Sequence, residues 1–187
     1  MEASPASLFM LDACSLLNLI ASRRFAQIAR NSEAQFAIAE PAAAEVRFVR
    51  CGGTGPDALE REAVNLADLE LSGLLVIHRL ETSEERAAFV AFAREVDDGE
   101  AACCALTIHR GGILVTDDRK ARRVLAQRSP PTSLLTTSEV IKSWADRVEL
   151  ARQDLARVLL DVEERGSFRP GRHDPLASWW ETMRRRD

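Results

Sequence analysis

Short apolar runs alternate with longer stretches of helical periodicity along this chain, and that alternation limits the fold more than any other feature. SLFMLDA (residues 7–13) reads as a strand, and CSLLNLIAS follows with Leu16, Leu17, Leu19 and Ile20 on one helical face. AQFAIAE (34–40) reads as a second strand. Pro41 suits the first turn of a helix continuing through AAAEVRFVR (42–50), and CGGTGP then breaks the chain as a surface loop. DALEREAVNLADL (57–69) has a helical pattern, GLLVIHRL (73–80) is a third strand, and a helix is expected over residues 83–96. GEAACCALTIHR is a helix stopped by Gly111-Gly112, ILVTDD (113–118) a fourth strand, RKARRVLAQR a helix, and TSLLTT (132–137), after the break SPP, a fifth strand. Strands that alternate with helices predict a parallel sheet of about five strands with helices on both faces, an α/β/α sandwich. Ligands of such sheets sit beyond the carboxyl ends of the strands, where the strand order reverses.

Residues 187 in number and 46% hydrophobic suffice for one core, so one domain over 1–147 and a helical extension over 148–187 are expected. A net charge of -4 with 29% charged residues matches neither a basic nucleic-acid coat protein nor a disordered acidic tail; any nucleic-acid site must be local. The four cysteines form no C-x-x-C pair, and Cys103 and Cys104 are neighbours in a helical segment, which points to a reducing cytoplasm. The N-terminus lacks a basic leader, and no run reaches the roughly 20 apolar residues that span a bilayer, so a soluble cytoplasmic protein with no membrane association is expected.

The acids occur where ligands would. Asp12 ends the first strand, Asp117 and Asp118 end the fourth, Glu40 and Glu45 follow the second, and Glu100 opens the helix before the fourth. All are expected at one rim. Crowded carboxylates repel and raise one another's pKa unless cations neutralise them, and a hard divalent ion with oxygen ligands is the natural occupant. Such ions activate water and clamp a scissile phosphate for in-line attack. Each acid also has a plainer explanation: Asp12 can cap a helix, Glu40 can cap or lie at the surface beside Pro41, and Glu100 can complement a helix dipole. Two adjacent acids ending an apolar strand are harder to explain that way, because a cap accounts for only one of them.

With the stretches FMLDACSLLNLIAS, IAEPAAAEVRFVR and DDGEAACCALTIHRGGILVTDDRKARRVLA in this order, the chain resembles the PIN-domain nucleases, a group that includes the VapC-like toxin ribonucleases of type II toxin-antitoxin systems. The resemblance covers residues 7–137. It implies a PIN-like sandwich and a ribonuclease site using Mg2+ or Mn2+, with Asp12, Glu45, Glu100 and Asp118 as catalytic acids. Asp12, Glu100, Asp117 and Asp118 would be metal ligands, and Ser15 and Thr116 small hydroxyls near the metal. Glu45 matches the second-unit glutamate better than Glu40, and Glu100 stands where many relatives have aspartate. The resemblance further implies an RNA substrate, a cognate antitoxin and a homodimer.

Other chemistries lack their parts. His78, His109 and His173 show no triad spacing, and CGGTGPD lacks the Lys followed by Ser or Thr of a phosphate loop. A phosphotransfer receiver would need a lysine near the fifth strand, and SPPTSLLTT has none. A non-catalytic PIN-fold module binding RNA or protein is the alternative to a nuclease. Arg119 and Lys120, in the first turn after the acids, are the basic residues expected to hold an RNA backbone, against a plain solvated helix face. The C-terminal segment has helical spacing from Val140 to Val162, then an amphipathic helix with Trp179 and Trp180, which as neighbours cannot both face one core. Arg169, Arg172 and Arg184 to Arg186 could extend a nucleic-acid path.

Overall fold

A computed structural model describes residues 7–51, 60–127 and 132–185. Strand β1 (Ser7–Leu11) leads into α1 (Ala13–Ala21) and α2 (Phe25–Asn31), followed by β2 (Ala34–Ala39) and the single turn α3 (Glu40–Ala43). Next come β3 (Phe48–Cys51), β4 (Glu60–Ala63), α4 (Leu66–Leu71) and β5 (Val76–His78). The remainder runs α5 (Ser83–Phe92), α6 (Asp98–Arg110), β6 (Ile113–Val115), α7 (Arg119–Ala126), β7 (Ser133–Leu135), α8 (Thr137–Arg147), α9 (Arg152–Gly166) and α10 (Ala177–Met183).

Five strands form one sheet in the order β5-β2-β1-β6-β7, and every pairing in it is parallel. Leu11 pairs with Ile38 on one side and Val115 on the other, so the carboxyl ends of the three inner strands lie in line. The chain adds β2 to one side of β1 and later β6 to the other, which places the reversal of strand order between β1 and β6. Helices cover both faces: α3, α5 and α7 gather around α6 on one, while α8 and α9 pack with α1 on the other. The fold is therefore α/β with a five-stranded parallel sheet, as the alternation of strands and helices implies.

Buried small residues set the position of α6. Ala101, Ala102, Cys103, Cys104 and Ala105 are all fully buried, which lets the helix backbone lie close to β1 and β2. Gly111 takes the left-handed conformation (φ 71°) that ends α6, as the Gly111-Gly112 pair implies. After Ser167, another left-handed residue (φ 55°), the chain leaves α9 and returns through residues 168–176 to α10. Trp180 is fully buried in the same core as the sheet, with its indole N–H donating to Glu163 at 2.8 Å, whereas Trp179 is half-buried beneath the Lys142 ammonium. The adjacent tryptophans thus divide between core and surface. Among the described residues, no helix is long and apolar enough to cross a membrane.

Three segments differ from the sequence expectation. Residues 42–50 do not continue as a helix: α3 ends at Ala43, and Phe48–Cys51 pairs antiparallel with Glu60–Ala63. The reason is a period-two pattern, Val49 buried between exposed Phe48 and exposed Arg50, in a strand that packs on α1 and α9 while Arg61 covers the Phe48 ring at 4.1 Å. The helix expected over 57–69 is replaced by β4 and the short α4, which Asn65 caps through the Ala67 N–H; residues 57–59 lie outside the described residues. Buried Arg165 on α9 binds Glu62 of β4 at 2.7 Å, a tertiary contact that local periodicity does not encode. Helix α2, not foreseen, is anchored by buried Phe25 and Ile28. The expected loop over residues 52–56 and break at 129–131 lie outside the described residues, as does Arg186.

Candidate functional site

The carboxyl ends of β1 and β6 open into a cleft of about 270 Å³ lined by Asp12, Glu45, Asp97, Glu100, Asp117 and Asp118, with Cys14 at its edge. Local structure holds each acid there. Asp12 is the N-cap of α1, its Oδ1 accepting from the Ser15 N–H at 2.6 Å, and its own backbone N–H donates to Val115 at 3.1 Å. Asp118 caps α7, its Oδ1 accepting from the Lys120 and Ala121 N–H groups at 2.7 and 2.8 Å, and its own N–H donates to the Thr116 hydroxyl at 3.0 Å.

Glu100 reaches the cleft because of what stands three residues further on. The Cys103 thiol donates to the Leu11 carbonyl at 3.3 Å, and residues three apart share a helix face, so Glu100 is set beside the end of β1. Its backbone N–H is capped by Asp97 at 2.8 Å. Glu45 comes from the turn after α3 rather than from within a helix, and it passes close to α6 only because residue 99 is glycine; a Cβ there would lie 2.7 Å from Glu45 Oε1. Asp117 is held differently. Thr137 donates to both its oxygens, from the backbone N–H at 2.9 Å and the hydroxyl at 2.5 Å, and the Asn18 amide adds a longer bond at 3.4 Å.

Glu40 is not part of the cleft, because its carboxylate pairs with exposed Arg79 at 2.8 Å. Ser15 and Thr116 are both fully buried beside Asp12. Arg119 and Lys120 occupy the exposed first turn of α7, and the Lys120 charge acts on Glu100. The sequence pattern does not single out Asp97, Asn18 or Thr137. Asp97 carries a readable signal, an acid three residues ahead of Glu at a helix start, whereas Asn18 and Thr137 reach Asp117 only through the tertiary fold.

Burial and mutual repulsion govern the charges. Glu100 is pushed up to about 7, first by burial and then by Asp118, Asp97 and Asp12. Asp117 is pushed up to about 6 by burial, against the two bonds from Thr137. Burial also raises Asp12, opposed by the Thr116 hydroxyl and the Ser15 N–H, and raises Glu45 together with the charges of Asp97 and Asp98. Cys14 is pushed up to about 11 by burial and by the surrounding acids.

The acids share the cleft without converging on one point: among the described residues, no three His, Cys, Asp or Glu side chains are grouped to hold one ion. The donor chemistry nevertheless fits a hard divalent cation. Asp12 and Asp118 each commit Oδ1 to a helix cap; Asp118 retains a second oxygen, Asp12 also meets the Thr116 hydroxyl, and Glu100 makes no side-chain hydrogen bond among the described residues. The buried Ser15 hydroxyl lies beside the Asp12 carboxylate. Asp117, whose oxygens are already engaged, fits the outer shell better than direct ligation. No family model, curated protein or solved structure matches the chain.

Proposed function

We propose that the protein is a metal-dependent endoribonuclease with a PIN-like fold, the toxin of a toxin-antitoxin pair. One observation carries this reading: acids from four separate segments line a single cleft at the reversal of strand order. Such a grouping raises the free energy of the folded chain unless something cationic compensates it, since none of the lining residues is basic. Magnesium or manganese bound there would supply the Lewis acidity that phosphodiester hydrolysis needs at neutral pH.

The chain's own residues then have distinct tasks. Asp12, Asp118 and Glu100 would hold a hydrated ion partly through its waters rather than all by direct ligation, Glu45 closes the far side of the cleft, and Thr137 with Asn18 keeps Asp117 in place. Lys120 tempers the negative field toward an incoming phosphate, and Arg119 beside it holds the RNA backbone. Incubating varied RNAs with the protein in EDTA, magnesium or manganese tests the reading. It expects cleavage only with metal; a protein that binds RNA in every condition and cuts none would instead be the non-catalytic module.

A further inference from the structure

A second cavity, of about 340 Å³, adjoins the acidic cleft and shares Asp117 with it as a wall. Its character is the opposite. Arg119, Arg122, Arg169 and His173 line it together with Phe168, and Pro170 and Pro175 complete an apolar side. Its volume lies within the roughly 300–1,000 Å³ common for small-ligand sites.

The cavity is built rather than incidental. Its outer wall is the segment 168–175 between α9 and α10, which Asp174 ties to the start of α8 by accepting from the Ser138 hydroxyl at 2.8 and 2.9 Å. Asp174 also accepts from the Leu176 N–H at 2.7 Å, and Arg169 is braced on Glu163 at 3.1 Å. The inner wall is α7, where Arg122 donates to the Thr116 carbonyl at 3.2 Å. Both acids facing the cavity, Asp117 and Asp174, have their oxygens engaged by Thr137, Ser138 and Leu176. The side chains of Arg119 and His173 are exposed and make no hydrogen bond or ion pair among the described residues. A cation and an imidazole therefore stand free at the mouth of a partly apolar cavity.

We infer that this cavity is a nucleotide subsite, which holds the nucleotide next to the scissile phosphate of a single-stranded RNA. The inference rests on the ribonuclease reading for the position of the cut, and on the cavity alone for the ligand chemistry. A nucleotide of an RNA strand joins an anionic phosphodiester to a flat, weakly polar ring, and the cavity joins Arg119 and His173 to Phe168 and two prolines. A base in a duplex is stacked and cannot enter such a site, so single strands are selected. The shared Asp117 wall makes the two sites continuous, as one strand crossing both requires.

The test uses the full chain and two probes. The first is adenosine 5'-monophosphate titrated in EDTA, followed by amide chemical shifts; the expected changes cluster in residues 168–175 and the first turn of α7. The second is a labelled single-stranded oligoribonucleotide, bound in EDTA by the wild type, R119A and H173A, with thermal melting as the control for folding. R119A is expected to weaken binding about tenfold and to lower the slope of log affinity against log salt by about 0.7, one phosphate contact on a single strand. Nucleotide shifts elsewhere, or R119A binding with wild-type affinity and slope, would overturn the subsite. Cleavage in magnesium separates the two readings: an RNA-cutting protein with an indifferent Arg119 loses only the subsite, and a non-cutting protein with these shifts and this R119A defect loses only the nuclease.

Discussion

The backbone N–H of Asp12 donates to the carbonyl of Val115 at 3.1 Å, so the first acid of the cleft is tied to the strand that delivers Asp117 and Asp118 two and three residues later. The acids of β1 and β6 cannot separate without breaking the centre of the sheet. This rigidity makes the cleft a preorganised site.

Asp12 and Asp118 serve both as acids and as helix caps, and asparagine caps a helix about as well as aspartate. D12N and D118N are therefore expected to melt close to the wild type while metal-dependent cleavage falls by roughly a hundredfold or more. Melting curves and initial cleavage rates measured on the same preparations check this. Wild-type rates in either variant would remove that residue from the site.

Thr137 acts through Asp117. Replacing it by valine keeps the shape but removes the hydroxyl bond to Asp117, which should cost about 1–3 kcal/mol of stability in urea unfolding. Cleavage is expected to fall about tenfold through the misplaced carboxylate. T137S, which retains the hydroxyl, is expected to restore most of both.

Gly99 offers a sign test. A helical glycine replaced by alanine normally stabilises by about 0.5–1 kcal/mol. Here the new Cβ would lie 2.7 Å from Glu45 Oε1 and 3.2 Å from Ala42 Cα, so that gain should vanish and Glu45 should be pushed from the cleft. G99A is expected to melt within about 2 °C of the wild type, by the usual conversion of a few tenths of a kcal/mol, and to cleave RNA more slowly. A clear rise in melting temperature with unchanged cleavage would show that Glu45 does not depend on this contact.

The raised acids make stability depend on pH in a defined direction. A carboxyl group whose folded pKa exceeds its unfolded value binds its proton more tightly in the folded state, so acid favours folding as pH falls through the folded pKa. Glu100, pushed up to about 7, should make the metal-free protein melt higher at pH 6.5 than at pH 8, with Asp117, at about 6, adding to this at its lower edge. His78, lowered by burial and by Arg110, works in the opposite sense toward pH 6 and below. E100Q should melt higher than the wild type at pH 8 in EDTA and show a flatter dependence. A wild-type protein that melts lower at pH 6.5 than at pH 8 would contradict the crowding of the cleft.

Much of this arrangement was legible in the sequence, for physical reasons that also mark where it was not. Parallel strands buried on both faces are nearly continuous apolar runs, so β1, β2 and β6 and the acids at their ends can be read directly. Gly111 announces the end of α6. The β3–β4 pair was hidden because alanines and charged residues suit helices locally, while the contacts that favour the strands, β3 with α9 and Glu62 with Arg165, come from residues over a hundred positions away. Asn18 and Thr137 were hidden for the same reason: each matters only through Asp117, far along the chain.

The most direct measurement is equilibrium uptake of manganese by the wild type and by D12N, followed calorimetrically at pH 7.5. Saturable binding that magnesium displaces, weakened at least about tenfold in D12N, is the predicted result. No uptake by the wild type, or equal uptake by the two proteins, would contradict a cation site built on Asp12.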